Sequence, residues 1–119
     1  MKRMKAVRMR ILLSVASGLL LTVPGFAAEK AKASPGEAIF KAKCVLCHGT
    51  DGQGKTTLGL QLKARDLNSS DVQSQKDAEL KQVILHGQGN MPPFEEQLSA
   101  AQVDQVLAYV RSAFGKKKK

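Results

Sequence analysis

Cys44-Val45-Leu46-Cys47-His48 places two thiols and an imidazole within five residues. Thiols at i and i+3 lie one helical turn apart, on the same side of a short helix. From there both sulfurs can bond the two vinyl groups on one edge of a porphyrin, and the imidazole of the next residue comes round to face the iron. This spacing is the attachment pattern of a covalently bound haem, with His48 as the proximal iron ligand. The iron then has one further axial position, for which Met91 and His86 are the downstream candidates. Met91 lies in Gly89-Asn90-Met91-Pro92-Pro93-Phe94, where two prolines restrict φ and keep the segment out of a helix. A soft thioether suits haem iron and raises its reduction potential. Met91 is therefore expected as the distal ligand, in place of the core-filling role that methionine usually has. His86 would complete a bis-histidine haem, but it falls at the predicted end of a helix, where an imidazole interacts favourably with the helix dipole and needs no metal.

Other chemistry for the same residues fits less well. A zinc site built from Cys44, Cys47, His48 and His86 would need adjacent Cys47 and His48 on one tetrahedral centre. A thioredoxin-like redox pair would need a βαβ context, which the pattern lacks. Nucleophilic catalysis would need a histidine opposite the cysteine and a third residue to orient it.

The elements that must position these groups are helical. Ser34-Pro35-Gly36-Glu37 reads as a capping box with proline at the first helical position, starting a helix that runs through Lys43 and delivers Cys44. Gly49, Gly52 and Gly54 end it in loop geometry. Residues 55–73 show no sustained helical period, and Leu58, Leu60, Leu62 and Leu67 read as loop residues packing inward. A second helix is expected from about Ser74 or Asp77 to His86, with Leu80, Val83 and Ile84 as its stripe and Gly87 just beyond its end. The last helix begins at an N-cap Ser99, with Gln102 at N3 and Leu98 placed to staple against Val103. Val103, Val106, Leu107, Val110 and Phe114 hold one face of it, and Gly115 stops it. The expected fold is all-α, three to four helices with long loops. Loops of that length in a small domain need another surface to pack on, and a haem would supply one.

The chain opens as an export signal: a basic stretch from Lys2 to Arg10, an apolar run from Ile11 to Val23, and small residues Gly25 and Ala27 at a cleavage site. Residues 1–27 are read as signal peptide, 28–33 as linker, 34–115 as the haem domain and 116–119 as a basic flexible tail. Export places the protein in the periplasm, with no stable membrane insertion after cleavage. Five of the nineteen basic residues leave with the signal while all ten acidic ones stay, so the mature chain carries +4, all of it supplied by Lys116 to Lys119. The high pI is therefore no sign of nucleic-acid binding, and no basic helix face with interleaved aromatics supports one. The mature chain of about 92 residues has no tryptophan and few apolar residues, so it has little core of its own. A CxxC disulfide would close too small a loop to make up for that.

Taken together, Gly36-Glu37-Ala38-Ile39-Phe40, Cys44 to Gly49, Asp51-Gly52-Gln53-Gly54, Val83 to Gly87 leading into Met91-Pro92-Pro93-Phe94, and the closing helix through Tyr109 and Val110 resemble the class I c-type cytochromes. The resemblance spans residues 34–114. It implies the cytochrome c fold around one covalent haem c, Cys44 and Cys47 as thioether anchors, His48 as proximal and Met91 as distal ligand. Phe40 and Tyr109 would mark the helix crossing that members share. Arg65 is a candidate contact for a haem propionate, a solvated surface arginine being the alternative. Many relatives carry a proline after the haem motif whose carbonyl accepts from the proximal histidine. The segment Lys55-Thr56-Thr57-Leu58-Gly59 has none, and a carbonyl near Thr57 is expected in that role. The implied function is that of a periplasmic one-electron carrier, a monomer serving redox partner proteins and not an enzyme. The competing readings are a haem c subunit of a larger oxidoreductase and a ligand-binding haem sensor with an open distal site.

Overall fold

The computed structural model describes residues 31–116, together with Gly25. The chain divides into two compact units at Lys30, and the second, from Ala31, holds all the elements below. The expected signal peptide lies outside the described residues.

Among the described residues six helices follow one another: α1 (Pro35–Lys43), α2 (Val45–His48), α3 (Thr57–Leu62), α4 (Ser70–Gln73), α5 (Asp77–His86) and α6 (Ala100–Phe114). The three long ones, α1, α5 and α6, are those the periodicity predicts. The other three have only four to six residues, too few to show a hydrophobic period. Local caps start α3 and α4: Thr56 Oγ1 accepts from the Gly59 amide at 2.8 Å, and Ser69 Oγ from the Val72 amide at 3.4 Å. Leu58, Leu62 and Leu67 do turn inward. Leu60 does not: the helical turn of α3 puts it outside, 65% exposed.

Two of the long helices, α1 and α6, begin at the serine caps their sequences offer. Ser34 Oγ accepts from the Glu37 amide (3.1 Å), while the Glu37 carboxylate pairs with Lys41 one turn on. At α6 the capping box is complete, Ser99 Oγ taking the Gln102 amide (3.2 Å) and Gln102 Oε1 the Ser99 amide (2.9 Å). On α6 the face Val103, Val106, Leu107, Val110 and Phe114 is buried, as its spacing requires.

The frame is the crossing of α1 over α6. Gly36 lies against the Gln105 carbonyl and the Tyr109 side chain, with no room for a Cβ. That close approach seats Phe40 (1% exposed) between Tyr109 and Phe114, with ring centroids 5.3 Å from each. A second cluster, Val72, Leu80 and Leu107, joins α4 and α5 to the same helix. Arg111 of α6 fastens the α4–α5 connection: its guanidinium donates to the Gln73 carbonyl (2.8 Å), the Gln75 carbonyl and Asp77 Oδ1 (2.9 Å). Among the described residues no helix is long and apolar enough to cross a membrane.

Replacing Gly36 by valine drives a side chain into the α6 backbone. The expected cost is about 1–3 kcal/mol, read as a lower midpoint in denaturant unfolding of the haem-loaded protein.

Candidate haem site

The turn carrying the two thiols is built by helical continuation. The Cys44 amide donates to the Phe40 carbonyl (2.9 Å), closing α1, and the His48 amide donates to the Cys44 carbonyl (2.9 Å), opening α2. Gly49, at φ 77°, then ends α2. Both thiols are free and half-buried. Burial, and secondarily the neighbouring Cys47, push the Cys44 thiol up to about 11. This is the opposite of the lowered pKa that a nucleophilic or disulfide-exchanging CxxC requires.

His48 is oriented from behind. Its Nδ1 lies 3.1 Å from the Arg65 carbonyl oxygen, so Nδ1 carries the proton and Nε2 keeps its lone pair. Burial lowers the His48 pKa, outweighing the opposing effect of that carbonyl, and favours the neutral, metal-binding imidazole. The orienting carbonyl is thus Arg65's and not one near Thr57. The segment is fixed on both sides, by the Ala64 amide on the Gly59 carbonyl (2.8 Å) and the Leu67 amide on the Gly52 carbonyl (2.7 Å). Gly54, at φ 70°, passes so close to the Ala64 and Arg65 carbonyls that any Cβ would displace them. The role depends on backbone placement, so a side-chain pattern does not reveal it.

Thr56 is a second residue that sequence reasoning missed. Besides capping α3, its hydroxyl donates to the Leu46 carbonyl at 2.7 Å, with the Cys47 carbonyl at 3.2 Å. It therefore ties the end of the thiol turn to α3. Only its place ahead of a short helix could have pointed to it.

Cys44, Cys47, His48 and Met91 all line one cavity of about 600 Å³. Eight leucine, valine and isoleucine residues of α3, α5 and α6 also line it, and its charged residues, Lys43, Lys63 and Arg65, are all cations. His86 does not line the cavity. It is exposed at the end of α5 with Nδ1 3.1 Å from Glu95, so the structure brings together Cys44, Cys47, His48, Arg65 and Met91 and leaves His86 apart. Among the described residues no three His, Cys, Asp or Glu side chains cluster as a metal site, which removes the zinc reading.

A flat apolar cofactor with acidic edges fits this space. Its volume falls in the range of cofactor pockets, and the thiols, the imidazole and the thioether are the donors that a covalent haem uses. The cavity lining is mostly apolar, which suits an apolar cofactor better than water.

Comparison with known proteins agrees. Residues 31–110 match the family model described as cytochrome C oxidase, cbb3-type, subunit III. The chain belongs to that family of class I c-type cytochromes, and its cofactor is covalently bound haem c. Cytochrome c6 of Aphanizomenon flos-aquae is 40% identical over 75 residues, covering 63% of this chain and 83% of that protein. Dihydro-heme d1 dehydrogenase of Pseudomonas aeruginosa is 35% identical over 107 residues, covering 86% of this chain; the chain spans only 19% of that protein's length. Among solved structures, the KustC0563 c-type cytochrome superposes with a TM-score of 0.60 at 29% identity, over 67% of this chain and 96% of its own.

Thr56→Val removes both the cap and the tie to the thiol turn. It is expected to lower stability by about 1–2 kcal/mol in denaturant unfolding, with Thr56→Ser retaining most of the wild-type value.

Proposed function

We propose that the protein is a periplasmic one-electron carrier whose iron is closed by His48 on one side and Met91 on the other. The observation that carries this reading is that Cys44, Cys47, His48 and Met91 line one cavity while the Nδ1 of His48 is engaged by the Arg65 carbonyl. When bound, haem c supplies an iron that takes up and returns a single electron.

The chain's own residues do the rest. Cys44 and Cys47 hold the porphyrin edge through thioether bonds. His48 presents Nε2, held in one tautomer by the Arg65 carbonyl, which also increases its basicity as a ligand. Met91 offers a weakly donating sulfur that favours the reduced state. The aliphatic walls keep water out. Arg65 at the cavity wall offers a guanidinium for a propionate carboxylate. Held by His48 and Met91, the iron would have no open position for substrate, which would separate a carrier from an enzyme or a gas sensor.

A second reading rests on the dihydro-heme d1 dehydrogenase relative, of which this chain spans a small part: the domain serves as the electron-transfer module of a larger oxidoreductase. Support for the free carrier comes from the cytochrome c6 relative, most of whose length is covered. Sedimentation of the purified protein separates the two, a single monomer of haem-loaded chain being the carrier's outcome.

The ligand set is tested by the visible spectrum. The oxidised protein is expected to show the weak long-wavelength sulfur-to-iron band, lost in Met91→Ala and kept in His86→Ala. Rapid binding of carbon monoxide by the reduced wild type would overturn the closed-site reading.

A further inference from the structure

The segment bearing Met91 is an excursion from the end of α5. The chain leaves at Gly87, reverses through Gln88–Met91, where the Met91 amide donates to the Gln88 carbonyl (3.0 Å) and the Gln88 amide to the Met91 carbonyl (3.2 Å), and passes through Pro92 and Pro93. It returns when the Phe94 and Glu95 amides each donate to the Leu85 carbonyl at 3.1 Å. Both ends are thus fastened to the same helix terminus, whose unpaired carbonyls they satisfy. The tip is fastened elsewhere. Asn90 Nδ2 donates to the Leu62 carbonyl at 3.1 Å, across 28 residues of sequence. Leu62 is the last residue of α3, followed by Lys63 in the left-handed region (φ 54°), and both Leu62 and Asn90 line the cavity.

We infer that Asn90 is a positioning residue for Met91, its amide latching the methionine loop onto α3 across the cavity rim. Without it, the loop is held only at its base on α5, and Met91 sits one residue from an unsecured tip. The latch biases a local equilibrium between a loop with the thioether in place and a loop swung away; it leaves the core untouched, since Asn90 is exposed and belongs to neither hydrophobic cluster. The inference rests on Met91 being the distal ligand.

The test is displacement of Met91 by added imidazole in the oxidised haem-loaded protein, followed by loss of the sulfur-to-iron band at fixed pH. Any weakening of the latch raises the open-loop fraction and so tightens the apparent imidazole affinity. The expected tightening is about three- to tenfold in Asn90→Ala, and at least as large in Asn90→Asp, which sets a carboxylate against the Leu62 carbonyl. The denaturant midpoint should stay near wild type in Asn90→Ala. The comparison variant Lys81→Ala removes a surface ion pair that joins α5 to Asp104 of α6 and should leave imidazole affinity unchanged. A wild-type protein lacking the band would overturn both the ligand assignment and the latch. A wild type with the band and an Asn90→Ala affinity equal to it, or equal to that of Lys81→Ala, would overturn the latch alone.

Discussion

A hole the chain cannot fill with its own side chains governs this structure. Nine hydrophobic residues are buried among those described, and seven of them form two modest clusters that share α6. Between them lies a cavity with room for a cofactor. Closing that space with side chains would require a larger chain or bulkier residues, and tryptophan is absent altogether. The group that does the redox work is therefore also the missing part of the core, and the thioether bonds make it permanent.

Around the cavity each wall has its own means of support. The α1–α6 crossing sets the rigid side through Gly36 and the Phe40, Tyr109 and Phe114 rings. The thiol turn grows directly from α1, so it inherits that rigidity. The Thr56 hydroxyl ties the thiol turn to α3, the Arg65 carbonyl holds His48, and Asn90 ties the tip of the methionine loop to α3. Local openings of a fold concentrate where hydrogen bonds are few and exposed, a description that fits the tip of the methionine loop. On the proposed ligand set, the support behind His48 would fix the iron and the methionine loop would be the adjustable part.

Much of this was legible beforehand. The helices α1, α5 and α6 announce themselves by caps and by a 3.6-residue apolar stripe, and α6 shows every buried position that its spacing predicted. The candidate cofactor residues Cys44, Cys47, His48 and Met91 were legible because their chemistry is carried by residue type and short spacing. The short helices α3 and α4 were not legible, since four to six residues cannot display a period. Leu60 was misread for the same reason: alternate leucines suggest inward packing until one turn of α3 rotates one of them to the surface.

The sequence by itself determined the class of the protein, the kind of cofactor and the four side chains proposed to hold it, because covalent attachment and metal ligation depend on which atoms are present. Only the tertiary structure decided which groups hold those side chains still. The Arg65 carbonyl behind His48, the Thr56 hydroxyl beneath the thiol turn and the Asn90 amide across the rim all meet backbone oxygens or supply one. Every residue carries such an oxygen, so sequence cannot distinguish one carbonyl from another; the path of the folded chain selects which of them arrives within hydrogen-bonding distance.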